Sequence, residues 1–244
     1  MLAALALLVQ QPNITEITLD VDGLKRTAWI YAPKTSTPAP VVFAWHGHGG
    51  NKNYSLRRFP FNKLWPEAIS VYAEGTPTKT PNDPQGNRNG WALTPGARNK
   101  DLKFFDALWA YVQKTYTVDK KHVFTMGHSN GGAFSFVLWG QRPDIWAGVA
   151  PCSAPGLIYL RNAPVVPLMF TYGTKDEIVS PEKMNQSREQ MIEKYGAKNP
   201  TDWNGCLRYE SKVPLVTYVF EGGHSLPENT PDLIARFFKQ VWKS

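Results

Sequence analysis

Ser129 lies in Gly127-His128-Ser129-Asn130-Gly131-Gly132, where small residues flank a hydroxyl that could serve as a nucleophile. Serine is a weak nucleophile at neutral pH and needs a base within hydrogen-bond reach. Of the five histidines only His224 lies downstream of it, in Glu221-Gly222-Gly223-His224. An acid must then hold the imidazole in the right tautomer and stabilise it once protonated. Asp176, in Gly173-Thr174-Lys175-Asp176, is the candidate; Glu177 beside it is the fallback, and Asp202 is disfavoured because nothing places it at a strand end. The order Ser, Asp, His fits attack on an acyl carbon. The oxyanion formed there needs preorganised backbone donors. One is expected from the N–H of Asn130, the other from Gly47-His48-Gly49-Gly50, with His48 N–H preferred. His46-x-His48 lacks a third ligand nearby, so a metal site is not expected.

A Gly-x-Ser-x-Gly pattern also arises by chance, and its surroundings have to support it. The spacing predicts a strand over His122–Met126 running into the Ser129 turn, with a helix after it. Such a sharp strand-to-helix turn lifts the serine out of a sheet. Ile14–Leu19 and Lys25–Ala32 alternate around the turn dipeptide Asp22-Gly23, as a hairpin would. Val41–Trp45, Ile69–Ala73, Trp146–Ala150 and Leu168–Tyr172 are short apolar runs of the kind buried on both faces. Asp101 is expected to cap a helix bearing Leu102, Phe105, Leu108, Trp109 and Val112. Pro181–Tyr195 and Pro231–Val241 read as helices, with a strand over Val213–Phe220 between them. The result is an α/β class: a mostly parallel central sheet with N-terminal antiparallel strands and helices on both faces. Chemistry in such sheets sits at the carboxyl ends of the strands. The Pro/Gly/Asn-rich stretch 75–98, with Trp91 inside it, is longer than most loops and is expected to be functional.

Composition bounds the rest. Hydrophobic residues make up 42% and charged residues 19% of 244, which is globular and argues against disorder. The net charge of +7 comes from Lys and Arg scattered singly or in pairs such as Arg57-Arg58 and Lys120-Lys121. That is a solvated basic surface rather than a nucleic-acid footprint. The apolar start, residues 2–9, is too short to span a bilayer and is set aside, within 1–12, as a signal-peptide remnant. Residues 13–244 are expected to form one catalytic domain, and export makes a Cys152–Cys206 disulfide an open alternative to two free thiols. Nine tryptophans are many. Trp91, Trp203 and His128 are the candidate substrate contacts.

Taken together, His46-Gly47-x-Gly49-Gly50-Asn51, Gly127-x-Ser129-Asn130-Gly131-Gly132, Gly173-x-x-Asp176 and Gly223-His224 resemble the feruloyl esterase and polyhydroxybutyrate depolymerase-like esterases. These stand with carbohydrate esterase family 1 in the α/β-hydrolase superfamily. Asp101-Leu102-x-Phe104-Phe105 and Trp203-Asn204-Gly205-Cys206 extend the likeness, while Leu226 stands where relatives commonly carry Trp. The resemblance implies an exported, secreted or periplasmic carboxylic-ester hydrolase without a cofactor. Its substrate would be a polymer-linked ester, feruloyl or acetyl groups on plant cell-wall polysaccharide, with no nucleic-acid, membrane or obligate protein partner. The alternatives are a polyhydroxyalkanoate depolymerase and, from another class, a non-catalytic carbohydrate-binding relative.

Overall fold

A computed structural model describes residues 13–161 and 163–244, so the signal remnant expected over residues 1–12 lies outside the described residues. The chain enters through β1 (Ile14–Val21) and β2 (Leu24–Tyr31). Asp22 and Gly23 between them have φ of 51° and 79°, the paired left-handed residues of a tight hairpin turn. Next come β3 (Ala39–Trp45), α1 (Lys52–Arg58), α2 (Phe61–Leu64), β4 (Ile69–Ala73), and the two-residue strands β5 (Thr76–Pro77) and β6 (Asn89–Gly90). Then follow α3 (Lys100–Thr115), β7 (Val118–His128), α4 (Asn130–Gln141), β8 (Gly148–Cys152), α5 (Leu157–Leu160) and β9 (Leu168–Gly173). The chain closes with α6 (Pro181–Tyr195), β10 (Lys198–Trp203), β11 (Cys206–Glu210), β12 (Leu215–Phe220) and α7 (Thr230–Trp242).

Ten strands form one sheet in the order β1-β2-β4-β3-β7-β8-β9-β12-β11-β10. The six central strands, β4 to β12, run parallel, and antiparallel pairs close both edges. The central strands are buried on both faces, so apolar residues run continuously through them while their side chains alternate. Val41, Phe43 and Trp45 pack with Leu102 and Phe105 of α3, Phe134 of α4 and Met184 of α6. Val42 and Ala44 face the opposite layer, with Trp65 and with Ile234 and Phe238 of α7. Because the central strands are parallel, the segments after β3, β7, β9 and β12 all leave at one end of the sheet.

Several expectations change here. Asn99, not Asp101, caps α3: its Oδ1 accepts from Asp101 N at 2.8 Å and Leu102 N at 3.1 Å. Asp101 is used instead in a fully buried pair with Arg26 at 2.7 Å, and its other oxygen accepts from Ala92 N at 2.7 Å. The guanidinium also lies 4.1 Å over the Phe104 ring. The hairpin β10–β11 was not legible, because every residue of β10 from Lys198 to Asp202 is exposed and no alternation marks it. Cys152 and Cys206 are both buried and free, which corrects the disulfide alternative. Cys152 is on β8 and Cys206 on β11, three strand positions apart. At about 4.8 Å per position that is roughly 14 Å, far beyond the Cα separation of about 6 Å that a disulfide spans.

Removing one partner of a buried ion pair leaves a charge without compensation. Arg26→Ala is expected to destabilise the protein by about 3–5 kcal/mol. Calorimetry should record this as a Tm lowered by roughly 10 °C.

Candidate active site

β7 ends at His128, and the chain turns into α4 through Ser129, whose φ is 58° and ψ −122°. A non-glycine residue held there carries strain of about 1–3 kcal/mol, which the surroundings must over-determine. They do so by close backbone contact. A Cβ on Gly131 would sit 2.3 Å from the Trp45 carbonyl oxygen, and one on Gly127 would sit 2.3 Å from that of Gly131. Ser129 N–H donates to Cys152 O at 2.9 Å, tying the turn to the end of β8. The serine is thereby presented at the carboxyl end of the sheet.

Asp176 follows β9 and His224 follows β12, the neighbouring strand. The Nδ1 of His224 lies 2.7 Å from Asp176 Oδ2, and the carboxylate is fully buried. Its other oxygen accepts from the N–H groups of Ile178 and Val179, both at 2.9 Å. With Nδ1–H given to the carboxylate, the Nε2 lone pair of His224 is left free to accept a proton. Lys175 N–H donates to Gly222 O at 2.8 Å, joining the two loops. Arg58 donates to the carbonyls of Leu226 and Pro227 at 2.6 and 2.8 Å and holds the chain beyond His224.

A cavity of about 250 Å³ opens at this place, lined by Gly47–Gly50, Tyr54, His128, Ser129 and His224. In the loop after β3, Gly49 N–H donates to Asn89 O at 2.7 Å and Gly50 N–H to Gly47 O at 3.0 Å. The N–H groups of His48 and Asn130 make no hydrogen bond among the described residues. The His48 ring lies 3.0 Å from Asp83 Oδ2. Burial works to raise the Asp83 pKa, but the N–H groups of Asn87 and Arg88, the His48 ring and the Gly86 N–H outweigh it and hold it at about 2. His46 is fully buried, which lowers its pKa; Nδ1 donates to Gly47 O at 2.7 Å and Nε2 accepts from Gly75 N–H at 2.9 Å. Both ring nitrogens are thus used within the protein.

The structure brings together Ser129, His224, Asp176, His48, Asn130 and His128. It keeps the rings of the two tryptophans out of the cavity. Trp91 is fully buried, stacked on Phe134 at 5.2 Å and donating from Nε1 to His46 O at 2.8 Å. It supports the site from behind and does not line the cavity. Trp203 packs edge-on against Phe237 of α7 at 6.5 Å, in the layer beneath the sheet, and is likewise not a lining residue. Tyr54, Arg58 and Asp83 went unnoticed in the sequence. Tyr54 had a usable signal: Asn51 caps α1 through Tyr54 N–H at 2.8 Å, so the helix begins directly after the glycine loop. The stretch 75–98 is not loose. β5 and β6 pair within it, and the Asn130 side chain brackets Trp91, accepting from its N–H at 2.7 Å and donating to its carbonyl at 3.1 Å.

No protein-family model matches the chain. Feruloyl esterase C of Emericella nidulans is 27% identical over 234 residues, covering 88% of this chain and 81% of that protein. A bifunctional acetylxylan esterase/xylanase of Neocallimastix patriciarum is 26% identical over 162 residues, 65% of this chain, which spans only 22% of that longer protein. Among solved structures, an acetyl xylan esterase from Aspergillus awamori superposes with a TM-score of 0.70 at 15% identity, over 92% of this chain and 99% of that one. A ferulic acid esterase gives 0.64 at 16% identity, over 93% and 98%. The chain has the α/β-hydrolase fold, and its sequence is similar to those of feruloyl and acetylxylan esterases.

Proposed function

We propose that the chain is a serine carboxylesterase that releases feruloyl or acetyl groups from plant cell-wall polysaccharide, and that it works outside the cell. The observation that carries this reading is the pair formed by His224 and buried Asp176 at 2.7 Å, with Ser129 lining the same cavity as His224 on a strained turn. In the first step Ser129 Oγ attacks the ester carbonyl while His224 Nε2 takes its proton. Charge gathers on the carbonyl oxygen, and the N–H groups of His48 and Asn130 are the donors aimed at it. The tetrahedral species collapses with cleavage of the ester bond, and His224 returns the proton to the departing alcohol. Water then attacks the acyl-enzyme by the same route and frees the acid. Similar proteins named for feruloyl and acetylxylan esterases favour this substrate class over the polyester reading. Export of the chain follows from that substrate. Among the described residues no helix is long and apolar enough to cross a membrane.

Initial rates on methyl ferulate, p-nitrophenyl acetate and acetylated xylan test the proposal. Turnover of the activated acetate together with ferulate or acetylxylan is expected. Folded protein that turns over none of them would leave a binding role instead. Ser129→Ala should lower kcat by roughly 10⁴-fold with the fold intact, leaving only binding and oxyanion effects. Asp83→Ala removes the acceptor of the His48 ring and of three backbone N–H groups. It should lower kcat by about tenfold, a loss on the order of 1.4 kcal/mol of transition-state stabilisation.

A further inference from the structure

His128 precedes the nucleophile, and the acyl transfer described above gives it nothing to do. It was expected to touch substrate. It lines the cavity, and its Nε2 lies 2.8 Å from the main-chain carbonyl oxygen of His224. We propose that His128 is a positioning residue, whose ring N–H clamps the peptide of the base and so registers His224 against Ser129. This rests on the esterase reading of the site.

The need for such a clamp follows from the topology. Ser129 follows β7 and His224 follows β12, three positions along the sheet. The base is preceded by Gly222-Gly223, residues of wide intrinsic backbone freedom, and the bond from Lys175 N–H to Gly222 O ties them to the β9 side. Asp176 fixes the imidazole sideways, from the β9 side, and Arg58 fixes the chain two residues later. Neither refers the base to the strand that carries the serine. The His128 bond does, because His128 is the last residue of β7 and the chain neighbour of Ser129. The two imidazoles are also in contact, with centroids 4.7 Å apart and planes inclined at 45°, which confines rotation of the base.

A carbonyl can only accept, so Nε2 of His128 carries the proton. Burial, with the neighbouring His224 ring next, holds the His128 pKa down at about 4, so at neutral pH the ring is an uncharged donor. A cationic His128 would oppose the imidazolium that His224 becomes in the proposed step. A neutral one donates without that repulsion.

The test compares His128→Leu, which keeps bulk without a donor, with His128→Gln, whose side-chain amide reaches the position of Nε2. Misplacing a reacting group by about 1 Å costs on the order of 100-fold. His128→Leu is therefore expected to lose roughly 30- to 100-fold in kcat on p-nitrophenyl acetate with KM within about twofold, and His128→Gln to recover most of the loss. A rise in KM with kcat kept would make His128 a substrate contact and overturn the clamp. Equal losses in the two variants would overturn it too. Nitrogen-15 spectra of the histidine rings supply a readout that needs no turnover. Wild type should show His128 as the Nε2–H tautomer, and the His224 ring signals should move in His128→Leu but return in His128→Gln. His224 signals unchanged in His128→Leu would sink the clamp. A wild type that shows these signals but hydrolyses no ester would sink the esterase reading and leave the clamp standing. If His128→Leu does not fold, His128→Asn, whose amide stops short of Nε2, takes its place against His128→Gln.

Discussion

Everything at the carboxyl end of the sheet depends on main chains touching without side chains between them at the Ser129 turn. Gly131 lies against the carbonyls of Trp45 and His46 at the end of β3, and Gly132 against that of Cys152 at the end of β8. Any side chain at these places would drive the three loops apart by more than rotamer changes could absorb. The contact does two things at once. It forces Ser129 into a left-handed backbone that lifts its hydroxyl from the sheet, and it locks the glycine loop 47–50 beside that hydroxyl. The strain, about 1–3 kcal/mol, is held by bonds on both sides, Ser129 N–H to Cys152 O and Ala133 N–H to Ser129 O.

Around this fixed point each working group has its own restraint from a different part of the chain. Asp176 is set by two N–H groups of its own loop, His48 by Asp83, Asn130 by Trp91, and the segment after His224 by Arg58. These restraints are buried or half-buried hydrogen bonds, several to charged acceptors, which are the stronger kind. Stretch 75–98 belongs to the same scheme. Its Asp83 and Trp91 brace the loop after β3 from outside, so a segment with the composition of a mobile loop acts as a buttress.

How much of this the sequence disclosed follows from the range of each interaction. The Ser129 turn was legible because its glycines are local in sequence, and His224 because no other histidine follows Ser129. Strands β3, β4 and β9 were legible as apolar runs, since parallel strands covered on both faces leave no other pattern. Asp101 misled because an acidic residue before an apolar run fits a cap, and only the fold reveals Arg26 beside it, 75 positions away in the chain. Cys152 and Cys206 could be paired on paper because sequence carries no measure of their separation across the sheet. His128 was read as a substrate contact and does line the cavity, but no local pattern discloses its bond to the carbonyl of His224, 96 positions on. Polar β10 gave no periodic signal because an exposed edge strand has no face to bury.

The tryptophans make the same distinction in chemical terms. An aromatic-rich chain invites the idea of a stacking platform for sugars or phenolic groups. Five of the nine tryptophans, Trp45, Trp65, Trp91, Trp139 and Trp146, are buried in the two layers flanking the sheet. Trp45, Trp91 and Trp139 pack edge-on or stacked on neighbouring rings, the geometry their quadrupoles prefer, and Trp65 and Trp146 lie tilted against Phe124 and Phe105. The aromatic content is therefore used mainly by the core. Among the described residues Tyr54 is the one aromatic side chain that is exposed, and it stands at the cavity between the glycine loop and solvent. The remaining lining is glycine, histidine and the serine itself. Under the proposed esterase reading, a site built this way would hold the reacting carbonyl through main-chain donors and leave the rest of the substrate to very few side chains, Tyr54 among them.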